Sequence, residues 1–432
     1  MGYAPVNRIV GTLRMGDSPK MGFSTSSRFL RTLALVRASD GALWTNILAE
    51  LGEISVPMFN HSDFGKMVPA RSGESPKDLR EREFTMKSER TPRRISRRPG
   101  GRKGDLKTPP VLFEQTQRIV QRIQKSIDGT FLTYWTSEYG SICGNDVQAM
   151  YEAVRVVKPQ TRITLFVKSD GGDGQSALRL IHLLREHVSH LTVVVPLECA
   201  SAATMLALGA DEIQMGPLAF LTPIDTSLEH SMGPVDPRNE TAFVGQDEVQ
   251  RVLNLWAKHS PQSDINPFQE LYKYLHPLVI GAVDRATSLS IRLCTEILRY
   301  HMNGVQDAER IANALNAQYP AHEYPITPRE ARELGLNVKK LDPELNDVLL
   351  ELNHLYSEMG QRAVTDFDEH NYHNNEIVNI IEGPGIQLYF KNDKDWHYRK
   401  EERQWVSLHV ESCWYRCVMK NGRMRQTRLY MS

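Results

Sequence analysis

The chain has few cysteines and no long apolar run. Five cysteines are scattered over 432 residues, which does not make the disulfide framework of a small secreted domain. Cys413 and Cys417 lie close together, but the second pair that a closed zinc site needs is missing. The sequence therefore predicts no metal, a reducing compartment and, because segments such as GTFLTYW and LTVVVPL have only strand length, no membrane span.

The formal net charge is zero, because 52 basic residues balance 52 acidic ones. The overall charge therefore identifies no partner, and only local runs of charge carry information. The Gly-rich stretches lack the Lys and Ser/Thr of a phosphate-binding P-loop. No cofactor is expected.

The first part of the chain, residues 1–108, is rich in Arg, Ser, Gly and Pro. It is predicted to be a basic, flexible extension. Its densely basic stretch at residues 87–107 indicates either a solvated linker or a contact with nucleic acid or another anionic surface, and the lack of interleaved aromatic residues favours the linker. Two further hypotheses for this part are a transit peptide and translation from Met86.

Regular patterns begin near residue 110 and predict an α/β core at residues 109–358. The buried strand-like segments GTFLTYW, ITLFVKS and LTVVV alternate with amphipathic helical segments such as QSALRLIHLLREHV. Strands separated by such helices form right-handed crossovers in a mostly parallel sheet. Residues 246–358 have an almost entirely helical pattern and are predicted to form the helical C-terminal part of this core.

The last part of the chain, residues 359–432, changes to a strand pattern. IQLYF, WVSLHV and CWYRCVMK are strand-like, and Asn421 with Gly422 suits a type I′ hairpin turn. These residues are predicted to form a small β-rich C-terminal domain, which would be a β appendage to the core.

Two turns that follow buried strands contain candidate site residues, because loops at the carboxyl ends of parallel strands build the site. In KSDGGDG, Gly171 and Gly172 can direct their N–H groups at an anion, and the alternative is an ordinary strand-to-helix turn. In ECASAAT, small neighbours leave the hydroxyl of Ser201 accessible, and the N–H of Ala202 lies at a helix N-terminus that favours an oxyanion. Serine is also a preferred helix cap, so these residues alone leave Ser201 as either a nucleophile or a cap.

These turns carry a resemblance to known peptidases. The order of strand, Gly-Gly turn, helix, strand and serine resembles the Clp protease proteolytic subunit and signal peptide peptidase A, within the Clp/crotonase fold. RIQKSIDGTFLTYWTS, KSDGGDGQSALRLIHLLRE, ECASAATMLALGADEIQMGPLAFLTPID and HEYPITPREARELGLNV are more similar to the serine dehydrogenase proteinase family. The resemblance implies a Clp/crotonase-type core, serine peptidase activity, Ser201 as the nucleophile and an oxyanion hole of Gly171, Gly172 and Ala202.

The sequence departs from the pattern of that family in four places. SDGG stands for the usual SPGG, which puts Asp170 beside the expected oxyanion site, and Ala200 stands where closer relatives often have lysine. ASAAT stands for the usual SAGT, and LTPID for LGPID. These differences keep open a catalytically degenerate scaffold or peptide-binding module. A crotonase-like acyl-CoA enzyme, which uses the same backbone oxyanion hole on a thioester, is another alternative.

A serine nucleophile needs a base, and neither turn contains histidine or lysine. His322 lies in a segment that resembles the stretch carrying the third catalytic residue of the Clp subunit, and we prefer it because imidazole titrates near neutral pH. Lys258 is the second candidate, by analogy with the Ser/Lys dyad of signal peptide peptidase A relatives, and His301 is the third. His230 lies just beyond LTPID. Asp225 in LTPID either orients a histidine or shapes the local turn, and the turn role is favoured.

The preferred prediction is a cytoplasmic serine endopeptidase that acts on a polypeptide substrate through a Ser201 acyl-enzyme. The resemblance also implies a homo-oligomer, and the helical stretch at residues 246–358 offers apolar surface for contacts between subunits. No ATPase motor is encoded in the sequence. Unfolding of folded substrates would therefore require a separate ATPase or another activating partner.

Overall fold

The computed structural model describes residues 106–159, 161–235, 241–259 and 266–431. The predicted extension at residues 1–108 lies outside this part of the chain except for its last three residues. Its flexibility and the role of its basic stretch therefore stay predictions.

Helices and strands alternate through the first half of the described chain, and strands dominate its end. The helices are α1 (Phe113–Ser126), α2 (Gly144–Val157), α3 (Gly174–Arg185), α4 (Ala202–Leu208), α5 (Gln246–His259), α6 (Pro267–Leu271), α7 (Pro277–Leu298), α8 (Val305–Ala317), α9 (Pro328–Glu333) and α10 (Pro343–Met359). The strands are β1 (Thr130–Thr136), β2 (Arg162–Lys168), β3 (His190–Val195), β4 (Glu198–Cys199), β5 (Glu212–Met215), β6 (Phe220–Leu221), β7 (Ser227–Leu228), β8 (Val244–Gly245), β9 (Val338–Lys340), β10 (Ala363–Asp368), β11 (Asn371–Gly383), β12 (Ile386–Arg399), β13 (Gln404–Val410), β14 (Cys413–Lys420) and β15 (Arg423–Leu429). No helix within the described ranges combines the length and the apolar character that crossing a bilayer requires.

The largest sheet has 11 strands, and its main path runs β15-β14-β12-β11-β1-β2-β3-β5-β9. The five strands from β1 to β9 on this path pair in parallel. α2 connects β1 to β2, and α3 connects β2 to β3. The predicted α/β core of parallel strands and crossover helices is therefore confirmed. Residues 246–358, which were predicted to be almost entirely helical, are mostly helical but also contain the short edge strand β9.

Side chains of the central strands alternate between two hydrophobic layers. Leu132 and Tyr134 of β1 pack on one side of the sheet with residues of α2, α3, α4 and α7. Phe131 and Trp135 pack on the other side with residues of α1 and α10. Helices thus cover both faces, and this burial holds the carboxyl ends of β2 and β3 at one edge, where the two candidate turns follow.

The C-terminal strands continue the core sheet. β11 pairs antiparallel with β1, with Tyr134 opposite Ile381. The buried carboxylate of Glu382 accepts hydrogen bonds from Thr116 Oγ1 of α1 at 2.7 Å and from Tyr356 Oη of α10 at 2.8 Å. The β-rich character of this part agrees with the strand pattern. Its division from the core at residue 359 stays a prediction, and the two parts share one sheet.

Candidate active site

Ser201 lies between β4 and α4 in a backbone conformation that few side chains adopt. Its φ is +52° and its ψ is −122°, and non-glycine residues with positive φ are uncommon and cluster at functional sites. Ser201 occupies the N-cap position of α4, yet its side chain makes no capping hydrogen bond. Within the described chain, no hydrogen bond engages its Oγ. The cap interpretation therefore leaves the hydroxyl unexplained.

The Gly-Gly turn lies directly against this serine. Gly171 has a φ of +107°, and a Cβ built on it would lie 2.7 Å from the Cβ of Ser201 and 2.9 Å from the backbone nitrogen of Ala202. Any side chain at position 171 would therefore collide with the turn that contains Ser201. The sequence predicted that glycine here directs N–H groups at an anion, whereas at Gly171 the structure shows a different need for glycine, which is this close approach.

Backbone hydrogen bonds fix the direction of the N–H groups in this turn. The carbonyl of Gly171 accepts from the N–H of Ile142 at 2.8 Å, and the N–H of Asp173 donates to the carbonyl of Ile142 at 2.8 Å. This parallel bridge leaves the N–H of Gly172 pointing away from Ile142. The N–H of Gly171 donates to Ser169 Oγ at 3.2 Å.

The turn and the start of α4 together leave two donors for an oxyanion. The N–H groups of Gly172 and Ala202 have no hydrogen-bond partner among the residues that the structure describes. The N–H of Gly171 is already engaged by Ser169. Of the three predicted oxyanion-hole residues, Gly172 and Ala202 therefore supply free donors, whereas Gly171 supplies the close approach.

His322 is held by the carboxylate of Asp225. Its Nδ1 lies 2.7 Å from Asp225 Oδ1, and antiparallel pairing of Leu221 with Ile326, at 2.8 and 3.0 Å, brings the two segments together. Because a carboxylate only accepts hydrogen bonds, the proton lies on Nδ1 and the other ring nitrogen, Nε2, carries the lone pair. The hydrogen bond that His322 donates to Asp225 raises the pKa of His322 above its usual 6.5, while partial burial opposes this rise.

One short segment connects this histidine pair to the serine. The backbone N–H of Ser201 donates to Thr222 Oγ1 at 2.7 Å, and Asp225 follows three residues later in the same LTPID stretch. No hydrogen bond joins Ser201 Oγ to His322 in the part of the chain that is described. Contacts between a nucleophile and its base are often loose until substrate binds. The arrangement places Ser201, the imidazole of His322 and the carboxylate of Asp225 on adjoining segments.

The other candidate bases have different surroundings. Lys258 is exposed in the last turn of α5, whereas a lysine base requires desolvation to lose its proton. His301 Nε2 lies 2.8 Å from the carbonyl of Leu208, at the end of α4 opposite Ser201, which is roughly 10 Å away at 1.5 Å per residue. The Nδ1 atom of His230 accepts from the N–H of Met232 at 3.1 Å.

Asp170, the residue that departs from the family pattern, has a raised pKa. Partial desolvation raises it, Lys168 lowers it, and the carboxylates of Glu198 and Glu138 raise it further. Lys168 itself is paired with Glu198, at 2.8 Å between Nζ and Oε1. Partial burial therefore makes ionisation of the Asp170 carboxyl less favourable than in water.

The part of the chain that contains both turns matches a family of peptidases. Residues 114–249 match the family model of ClpP-like SDH-type serine proteinases, which confirms the family resemblance for that segment. The matched range includes the Gly-Gly turn, Ser201 and Asp225, and it ends before His322. In the described ranges, no group of three or more His, Cys, Asp or Glu side chains is arranged to hold a metal ion.

The chain is similar to two curated proteins and to several solved structures. One uncharacterized protein of Methanocaldococcus jannaschii is 24% identical to this chain over 277 residues, which cover 61% of this chain and 87% of the relative. A second uncharacterized protein of the same organism is 25% identical over 235 residues, which cover 54% of this chain and 71% of the relative. The 1510-N membrane-bound stomatin-specific protease is 13% identical with a TM-score of 0.31, covering 55% of this chain and 88% of that one. ClpP1 from Listeria monocytogenes is 12% identical with a TM-score of 0.28, covering 54% and 99%.

Proposed function

We propose that this chain is a serine endopeptidase that hydrolyses peptide bonds through a Ser201 acyl-enzyme. The observation that carries the proposal is the strained backbone of Ser201, which leaves its hydroxyl without a hydrogen bond at the N-terminus of α4, directly against the Gly-Gly turn. A serine that only capped the helix or filled a structural position would not require these strained backbone angles. The match of the surrounding segment to a serine proteinase family supports the same chemistry.

The residues of the site divide the steps of this mechanism among them. Ser201 Oγ attacks the peptide carbonyl and transfers its proton to His322 Nε2, while Asp225 keeps the ring oriented and stabilises the imidazolium. The N–H groups of Gly172 and Ala202 stabilise the oxyanion. His322 then protonates the leaving amine, and water activated by the same imidazole hydrolyses the ester on Ser201. No metal or organic cofactor takes part.

A fluorophosphonate probe tests the proposal, because it modifies only an activated serine hydroxyl. We expect peptide mapping of the labelled protein to place the adduct on Ser201 and the Ser201→Ala variant to remain unlabelled. Ser227→Ala, which changes an exposed serine of β7, is the matched control and should be labelled normally. A folded wild-type chain that takes up no label would favour the scaffold interpretation.

The pH dependence of cleavage should report the pair of His322 and Asp225. Because the pKa of His322 is raised, the neutral base is lost on acidification at a pH above 6.5, the ordinary value. We expect the acidic limb of a plot of kcat/KM against pH to lie above that value and to move to lower pH in Asp225→Asn. A limb that stays in place in this variant would contradict the assignment.

A homo-oligomer is also proposed. Side chains around the small apolar cluster formed by β8, α5, α6 and α7 remain exposed in one chain, among them Phe243 (67%), Leu255 (57%) and Tyr274 (64%). Such a surface suits contact with a second copy. Light scattering should give a multiple of the mass of one chain, and the mass of a single chain over a wide concentration range would contradict the proposal.

A further inference from the structure

Thr222 is a buried threonine whose hydroxyl contacts the backbone of the candidate nucleophile. Its side chain is 3% exposed, and its Oγ1 accepts the N–H of Ser201 at 2.7 Å. The short distance indicates a well-formed hydrogen bond. Thr222 therefore contacts the backbone N–H of Ser201 itself, next to the bond whose rotation defines the strained φ.

A second threonine fixes Thr222 in place. Thr204, on α4 and fully buried, accepts the backbone N–H of Thr222 at 3.2 Å through its Oγ1. The same oxygen lies 2.9 Å from the carbonyl of Cys199 and 3.0 Å from the carbonyl of Thr222, and its single proton serves one of them. The two threonines thus tie the LTPID segment to both sides of the Ser201 turn.

The hydrogen bond from Ser201 opposes the relaxation of its backbone. A φ of +52° with a ψ of −122° is costly for a residue with a Cβ and persists only where the surroundings enforce it. Gly171 enforces it from one side by close packing, and Thr222 enforces it from the other by accepting the N–H. Without the Thr222 hydroxyl, the partly buried N–H of Ser201 would lose its hydrogen-bond partner, and other backbone angles of Ser201 would become more favourable.

We propose that Thr222 is a positioning residue that holds Ser201 in its reactive conformation and in register with Asp225 and His322. The proposal rests on the serine peptidase function proposed above. The position is one of those at which this sequence departs from the family pattern, with LTPID in place of LGPID. A glycine carries no hydroxyl and could not accept the N–H of Ser201 in this way.

Three substitutions test this role through the reactivity of Ser201. Thr222→Val keeps the branched shape and removes the hydroxyl, whereas Thr222→Ser keeps the hydroxyl. We expect the rate of fluorophosphonate labelling to fall about tenfold to a hundredfold in Thr222→Val, because small misplacements of a nucleophile have effects of that size, and to be restored in Thr222→Ser. Thr226→Val is the matched control, since the Thr226 hydroxyl lies in the same loop and is buried without a partner among the described residues.

Cleavage kinetics separate positioning from a merely structural role. In Thr222→Val we expect kcat to fall with the labelling rate while KM changes less than about twofold, which is the pattern of a lost transition-state interaction. Thermal unfolding of each variant shows whether it is folded, and Thr222→Ala is a second variant without the hydroxyl.

Each remaining outcome decides against the proposal. Equal labelling of wild type and Thr222→Val would overturn the positioning role and leave the peptidase proposal intact. Loss of folding in both Thr222→Val and Thr222→Ala would make Thr222 a structural residue. A wild-type chain without label on Ser201 would overturn the peptidase proposal and the positioning role together.

Discussion

Substitution of Ser201 by alanine should lower kcat/KM for an unfolded polypeptide by about 10⁴-fold or more, as removal of a serine nucleophile does elsewhere. The hydroxyl forms the covalent intermediate, and no described group near the turn can replace it. The oxyanion donors at Gly172 and Ala202 remain in the variant, so a small residual rate above that in water is expected. The measurement is cleavage of a fluorescent unfolded protein by variant and wild type.

The serine control makes this result interpretable. The Ser227→Ala variant should cleave the unfolded protein at the wild-type rate. Both this variant and Ser201→Ala should unfold at nearly the wild-type temperature. If Ser201→Ala kept more than about a tenth of the activity, a loss of about 1.4 kcal/mol or less, another nucleophile would be responsible. An inactive wild type would instead support the scaffold interpretation.

Substitution of His322 by alanine should lower kcat by about 10²- to 10⁴-fold, the range that general-base catalysis contributes. The imidazole is the only candidate base whose second nitrogen is oriented by a carboxylate, within the described ranges. Substrate binding should change little, so KM should stay close to the wild-type value. Single-turnover cleavage is the measurement, because it isolates the acylation step.

Lys258→Ala provides the contrast for this prediction. The side chain is exposed at the end of α5, and a surface substitution of this kind should leave activity within about twofold of wild type. The reverse result, with Lys258→Ala inactive and His322→Ala active, would replace the histidine with a Ser/Lys dyad.

Periodicity in the sequence was sufficient to predict the core of the fold. The segments ITLFVKS and LTVVV form β2 and β3, and the helix between them makes the expected crossover. Burial on both faces of a parallel sheet leaves a continuous apolar run, which is a local signal. The pairing of β11 with β1 joins residues far apart in sequence, and no local pattern specifies such a pairing.

The candidate site was predicted in part, because only some of its residues have local signals. Gly171 and Ser201 follow buried strands directly, which marks them in the sequence. The contact between Asp225 and His322 spans 97 positions, and Asp225 was assigned to a turn because its sequence context is that of a turn. The one local signal that Asp225 orients a histidine was the position of its carboxylate just after a short strand.

The departures from the family pattern acquire physical roles in the folded chain. Thr222 was noted in the sequence only as a difference from the usual glycine, and its hydroxyl accepts the N–H of Ser201. Asp170 was noted in the sequence as a residue beside the expected oxyanion site, and desolvation raises its pKa. Neither effect follows from residue type alone, because each depends on a tertiary neighbour.

Reaction with a peptide chloromethyl ketone tests most directly whether Ser201 and His322 act as one unit. Such a reagent joins its carbonyl carbon to the serine oxygen and its methylene carbon to the imidazole Nε2, with loss of chloride. The account predicts alkylation of His322 in the wild type, mapped by mass spectrometry, and loss of that alkylation in Ser201→Ala. Alkylation at Lys258 or His301, or equal alkylation of His322 in both proteins, would contradict it.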